Sequence, residues 1–534
     1  MVSNCSAGRG LGFSYSEKIQ LLCYSLGLSL CLVGVLNLVL VGLSQPNSSA
    51  CYFLSEGNRA SFEACKHSLL SAYANTNISI ENFLITPIEL ATAYFNIGSY
   101  SEYTSVAIVI LLFVLSLGFY YFLSKKQIYF FNKRDFLFLS VYFFIMWFKG
   151  AVIDIDIMAL SGELAYKGIN PYTLAKFQSN MGLLPTFPYL PPCLLGFSLT
   201  ASVTQLLDWL SVPIRNYSVL SVVIGFSYVI LCKSLEAILS HIRPTANEKG
   251  YFWFLFLNPL GLYYVVVLTQ LDILAVAIFV YAVRLYIEKP NSNGWIFFGV
   301  ISLFFIKLQF ITIFAIVILT QLLLSPIIDF SFSNFSKVIA LGFGLLVLTF
   351  LYSLVPDCFE SLAANPQAQR INWSTWWSYF GGGLQINRPI GFTIICLFSL
   401  VVFIGNKGVT SQQKAIITLF TVASFVGIFQ ASFAHTFGFT AFMVPALMII
   451  PLFFKKHLFK QLFFFFTPVF LLCTWGTGIT GQGIVLNMIG ISSNFSWGAE
   501  VATKLFTLEY ILHICFALLC LGFAYLISIN RIKL

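Results

Sequence analysis

Two carboxylates, Asp154 and Asp156, stand in the run Ile153-Asp154-Ile155-Asp156-Ile157, at the end of an apolar stretch over residues 136–153 that is otherwise devoid of acids. Desolvation opposes charge near a membrane boundary, so ionisable groups there are rare and usually face a cavity that serves a function. A carboxylate so placed is suited to take a proton from a hydroxyl as a general base. On a helix, residues two apart point about 200° from one another, whereas in an extended segment they share a side, so a helix would let only one of the two face a substrate. The bland alternative is a pair of solvated acids just past a helix end.

The elements that must position these groups follow from composition. The chain has 534 residues, 58% hydrophobic, 17% aromatic and 9% charged, with 29 basic and 20 acidic side chains for a formal charge of +9. Soluble domains carry about 25% charged residues, so an integral membrane protein is expected. One crossing takes about 20 apolar residues, and the long continuous runs lack the alternation of a β-barrel. The basic residues lie in short clusters between apolar runs, which marks them as topology signals and excludes nucleic acid as a partner. Lys125, Lys126, Lys133 and Arg134 form one such cluster, Lys407 and Lys414 a second, Lys455, Lys456 and Lys460 a third, and Arg531 and Lys533 a fourth. Stepping outward from each predicts non-cytoplasmic loops near residues 45–103, 154–188, 356–388 and 477–504. Arg243 and Lys249 also look cytoplasmic, which demands an odd number of crossings between Tyr189 and His241 where the hydropathy pattern suggests two; a short, broken or re-entrant segment would resolve the conflict.

After the two acids the chain reads Glu163-Leu-Ala-Tyr-Lys-Gly168-Ile-Asn-Pro171-Tyr172, a short helix stopped by a glycine and followed by a turn, and then Phe187-Pro-Tyr189-Leu-Pro191-Pro192 leads into the next apolar run. Further on stand Asn258-Pro259, Thr269-Gln270-Leu271-Asp272, Lys307-Leu-Gln309 and Ala434-His435-Thr436. This order resembles the GT-C type membrane glycosyltransferases. It is most similar to the polyprenyl-phosphate-mannose-dependent mannosyltransferases of bacteria and the first mannosyltransferase of glycosylphosphatidylinositol synthesis. In those families an aspartate precedes the Gly of Gly-x-x-Pro-Tyr by about fourteen residues, as Asp154 precedes Gly168. Thr269 stands where the family has Gly. The resemblance covers residues 135–325 well, 410–455 weakly and the first 100 not at all.

The resemblance implies an all-α polytopic fold, a GT-C-like bundle of about 11–13 transmembrane helices with a catalytic first outer loop. It divides the chain into an unmatched helix and outer loop (1–103), a catalytic core (104–355), an aromatic outer loop (356–388) and C-terminal helices (389–534). The implied reaction moves one sugar, mannose by the closest likeness, from a polyprenyl-phosphate donor to a glycan or glycolipid acceptor on the non-cytoplasmic face, in the plasma membrane of a bacterium or the endoplasmic reticulum of a eukaryote. Asp154 is the expected base, with Asp156 beside it. Lys307 either compensates the leaving phosphate, with Arg370 and Arg388 as rivals, or snorkels at a helix end. Gln270 and Asp272 are candidate sugar ligands, although Asp272 is more simply a helix cap. His435 binds phosphate or is structural, and Tyr172 and Tyr189 contact the sugar or belong to an interfacial belt. The loop from Trp373 through Trp376, Trp377 and Gly383 covers a ligand or forms part of the same belt.

No metal or other cofactor is expected: two aspartates with Mg²⁺ or Mn²⁺ are conceivable, but no third carboxylate has suitable spacing. Cys51 and Cys65 are either a disulfide or two free thiols in the first outer loop, and the remaining ten of the twelve cysteines read mostly as small hydrophobes. Asn47 and Asn77 begin formal glycosylation triplets. The rival class is a secondary transporter or lipid-linked sugar flippase, for which matching broken helices in two halves are expected; a glycan polymerase or ligase is a third reading, kept open by Arg370 and Arg388.

Overall fold

The computed structural model describes residues 133–148, 153–168, 170–173, 191–212, 217–242, 251–267, 269–289, 294–304, 409–429 and 518–529, together with isolated positions elsewhere. These residues are helical, with no strand among them. In chain order the elements are α1 (Lys133–Phe148), α2 (Ile153–Tyr166), α3 (Pro191–Trp209), α4 (Ser218–Ile242), α5 (Tyr251–Phe256), α6 (Pro259–Leu262), a π-helical turn (Tyr263–Val267), α7 (Asp272–Glu288), α8 (Gly294–Phe304), α9 (Ser411–Phe429) and α10 (Leu518–Ser528).

α4 is the hub, packing against α1, α3, α5, α7 and the π-helical turn. Its Leu220, Ile224, Tyr228, Leu231, Leu235 and Ile238 are almost fully buried. The stretch Ser218–His241 is the one described helix long and apolar enough to cross a bilayer. α1 lies antiparallel to it. At one end the Ser218 hydroxyl donates to the carbonyl of Trp147, in the last turn of α1, at 2.9 Å. Seven residues further along α4, the buried Tyr142 hydroxyl donates to the Gly225 carbonyl at 3.1 Å. Gly225 admits this contact because it has no side chain: a Cβ there would lie 3.1 Å from Met146 Cγ and 3.2 Å from the Tyr142 oxygen.

α7 and α8 form an antiparallel hairpin, with Tyr286 against Trp295 and Tyr281 against Phe298 at ring-centroid distances of 5.2 and 4.9 Å. α9 packs on α7, and its Gln412 amide donates to the His241 carbonyl at the end of α4. The end of α4 and the start of α9 therefore lie at the same end of the bundle, the end opposite Trp147 and Ser218.

One expectation is revised: Asp154 and Asp156 lie in the first turn of α2, not past a helix end. The apolar stretch that begins at Tyr251 forms two short helices and a π-helical turn.

α2 packs along α3. Its buried positions Ile155, Met158, Ala159 and Gly162 recur at helical spacing and meet the face of α3 that buries Cys193, Phe197 and Ala201. The helices approach closely at Gly162, where an added Cβ would lie 2.3 Å from the Phe197 carbonyl oxygen. Backbone cannot swing aside as a side-chain tip can, so the two helices must separate to admit a methyl group. Gly162→Ala is expected to destabilise the protein by about 1–3 kcal/mol, read as a lowered unfolding temperature in detergent. Gly299→Ala, whose Cβ would meet nothing within 4 Å, is the control and should be neutral or mildly stabilising.

Candidate functional site

The first motif group begins with Asp154 and Asp156. On α2 their positions are about 200° apart around the helix axis, so they lie on different sides of it. The helix ends where the sequence predicts. Gly168 adopts φ +77°, a left-handed conformation that only glycine enters without strain, and its amide donates to the Ala165 carbonyl at 3.0 Å. Lys167, in the same turn, pairs with Glu163 at 2.7 Å.

The chain then restarts at once. Asn170 Oδ1 accepts the Tyr172 amide at 3.0 Å, which makes Asn170 a helix N-cap and puts Pro171 at the first helical position, where a missing N–H costs nothing. Tyr172 is fully buried. The Gly-x-x-Pro-Tyr element is thus a helix stop and a helix start three residues apart, with the tyrosine placed by the restart.

The second group uses the same device. α5 ends at Phe256, and Asn258 Oδ1 accepts the Gly261 amide at 3.3 Å while the Asn258 carbonyl accepts the Leu262 amide at 3.0 Å, so Asn258 caps α6 with Pro259 at its first position. The π-helical turn follows, and the Gln270 amide reaches back to the Tyr264 carbonyl at 3.3 Å to close the widened turn. Thr269 has φ +49°, a conformation costing a β-branched residue about 1–2 kcal/mol. Glycine would adopt the same angle without strain.

Around this break Asn258, Thr269, Gln270 and Asp272 are all buried, Thr269 and Asp272 completely, among apolar neighbours in sequence such as Val265, Val266 and Leu271. Asp272 is not the cap it was expected to be. It is the first residue of α7; the N-cap position is Leu271, and no side-chain hydrogen bond caps the helix. What remains is a carboxylate placed at a positive helix end, which favours its charge by about 0.3–1 kcal/mol when exposed and up to about 2 when partly buried. α4 links the two groups, since α2, the π-helical turn and α7 all pack on it.

α5 itself is held by groups that sequence spacing does not reveal. Glu236 Oε1 accepts the Phe252 amide at 3.1 Å, and its Oε2 pairs with Lys233 at 2.8 Å. The Lys233 ammonium also sits 4.4 Å from the Phe252 ring centroid. The Tyr228 hydroxyl lies 2.9 Å from the Phe256 carbonyl, one of the acceptors freed where α5 ends. Glu236 and Phe252 are sixteen residues apart, so no local pattern announces the pair. A signal was present at α9, where Thr410 and Gln413 cap reciprocally at 2.9 and 3.3 Å in the Thr-x-x-Gln spacing of a capping box.

Tyr189, Lys307, Arg370, Arg388 and His435 lie outside the described residues, as do Cys51, Cys65, Asn47, Asn77 and the aromatic loop from Trp373 to Gly383. Cys193, Cys232, Cys515 and Cys520 are free thiols, all but Cys515 buried. Among the described residues no three His, Cys, Asp or Glu side chains come together in a way that would hold a metal ion. No protein-family model, curated protein or solved structure matches the chain.

Because the two Asn-Pro restarts rest on side-chain caps, Asn170→Ala and Asn258→Ala should each cost about 0.5–2 kcal/mol, and Gly168→Ala about 1–2 kcal/mol for the left-handed backbone. Thermal unfolding of the three variants checks this; an unchanged midpoint for either asparagine would remove its capping role.

Proposed function

We propose that the protein is a polytopic membrane glycosyltransferase of the GT-C type, which transfers a sugar, most simply mannose, from a polyprenyl-phosphate donor to an acceptor on the non-cytoplasmic face. The membrane setting is supported by apolar side chains exposed along the described helices: Leu137, Phe138, Val141 and Phe144 on α1, and Val223, Phe226 and Ile230 on α4. In water such stripes would mark an association surface, whereas against lipid they need no partner.

The observation that carries the reading is the placement of Asp154. It is the second residue of α2, six residues after Phe148, at the end of the bundle where Trp147 meets Ser218 and away from the end where α4 meets α9. With the basic clusters taken as cytoplasmic, this supports a non-cytoplasmic position for it, fourteen residues ahead of the Gly168 stop. A lipid-linked donor has its head group at that surface and its tail in the hydrocarbon. Transfer with inversion needs a base that takes the acceptor hydroxyl's proton while that oxygen bonds to the anomeric carbon and the polyprenyl phosphate leaves. Asp154 is that base. The buried polar break from Asn258 to Asp272 supplies sugar-binding groups, with Gln270 and Asp272 foremost, and a cation, Lys307, Arg370 or Arg388, meets the phosphate.

One observation favours the rival. A hydrophobic run broken into short helices and leading to a buried acid, as from Tyr251 to Asp272, is also how secondary transporters build a substrate site. Purified protein in vesicles, given labelled polyprenyl-phosphate-mannose and cell-envelope lipids, separates the two. Label should pass to a lipid or glycan acceptor, and Asp154→Asn should lower that rate by about 10²–10⁴-fold without changing the unfolding temperature by more than a few degrees. Equal transfer by both proteins removes Asp154 from the mechanism, and label crossing the bilayer without transfer establishes the transporter.

A further inference from the structure

α3 and the turn that follows it carry six large apolar side chains on the side turned away from α2: Leu195, Leu199, Val203, Leu206, Trp209 and Leu210, between 44% and 79% exposed. Their spacing of three or four residues makes one continuous stripe. We infer that this stripe is embedded in the acyl chains of the non-cytoplasmic leaflet, and that α3 lies along that leaflet without crossing the membrane. The inference rests on the membrane reading above but not on the reaction assigned to the protein.

Connectivity and length carry it. α1 and α4 are antiparallel, and the end of α1 touches the start of α4 through Ser218 and Trp147. The chain from Phe148 to Ser218 therefore leaves and returns on one side of the bundle, making an even number of crossings. α2 has 14 residues, about 21 Å at 1.5 Å per residue, too short for a hydrocarbon core of about 30 Å. Residues 174–190 include Lys176, Gln178, Asn180, Pro185 and Pro188 and hold no apolar run of crossing length. With no other crossing to pair with it, α3 cannot cross either, although its 19 residues would suffice. This resolves the parity conflict of the sequence, because between Tyr189 and His241 only α4 then spans. An apolar helix held at a membrane surface rests with its apolar face about 5–10 Å into the boundary between head groups and acyl chains. Packing through Gly162 couples that depth to α2, and so to the segment that bears Asp154, near the level where a lipid-linked head group lies.

The test uses the full chain in phosphatidylcholine–phosphatidylglycerol vesicles. A genetically encoded fluorescent side chain is placed singly at Leu195, Leu199 or Leu206, and at Val223 or Ile230 on α4 as references. Lipids brominated at defined acyl positions and aqueous iodide serve as the quenchers. The three α3 positions should be quenched by brominated lipid at depths that agree within one helical pitch, about 5 Å, whereas Val223 and Ile230 should differ by about 10 Å. A spread of about 16 Å between positions 195 and 206, passing through the bilayer centre, would overturn the inference in favour of a spanning helix. Quenching by iodide alone would overturn it in favour of a face exposed to water. Shielding from both quenchers would overturn it in favour of a protein partner or second copy. If the α4 references also escape lipid quenching, the membrane reading has failed with it, whereas loss of sugar transfer leaves every one of these depths unchanged.

Discussion

A buried backbone amide or carbonyl without a partner costs about as much as a lost hydrogen bond, and in an apolar interior no water replaces it. Among the described residues, this constraint governs the places where the chain interrupts a helix. Between α2 and the restart at 171, Gly168 and Asn170 take over the backbone bonds. Between α5 and α6 the work falls to Asn258, with the Tyr228 hydroxyl beside the Phe256 carbonyl. Glu236 holds the start of α5 from a neighbouring helix, and Thr410 with Gln413 holds the start of α9. The breaks are costly to build, and each is specified by particular side chains.

The same constraint fixes the bundle's orientation. Ser218 satisfies a carbonyl at the end of α1, and Tyr142 satisfies one at Gly225, so two hydrogen bonds set both the antiparallel sense and the register of α1 on α4. Once that register is set, the length of α2 and the polarity of the linker after it leave little freedom for the segment between them. The placement of Asp154 at one end of the bundle is a consequence of this register.

Much of this was legible from residue types. Helix starts at Ser218, Tyr251, Asp272 and Gly294 fall within a residue or so of where the apolar runs begin, because hydrophobicity and burial coincide there. Gly168 was readable as a stop because a left-handed residue after a helix is nearly always glycine. The start of α2 at Ile153 was not, since Ala151, Val152 and Ile153 continue the apolar character of the run before it. The pairing of Glu236 with Phe252 was hidden by sequence distance, and the π-helical turn by the fact that Tyr263–Val267 has the composition of any buried helix. Among the candidate ligands, Asp272 looked like a cap because aspartate before an apolar run usually is one; its position one residue inside α7 shows only in three dimensions.

Thr269 draws these strands together. A β-branched residue in the left-handed region is strained, and such strain persists only where the surroundings over-determine the backbone. Here the π-helical turn on one side and the start of α7 on the other leave the connecting residues little choice, and full burial of the threonine side chain offsets part of what glycine would have avoided. The strained residue stands directly before Gln270 and three before Asp272, so its backbone angle sets how those two buried polar groups enter the interior. A glycine would relax the turn while loosening that direction, whereas a threonine stiffens it.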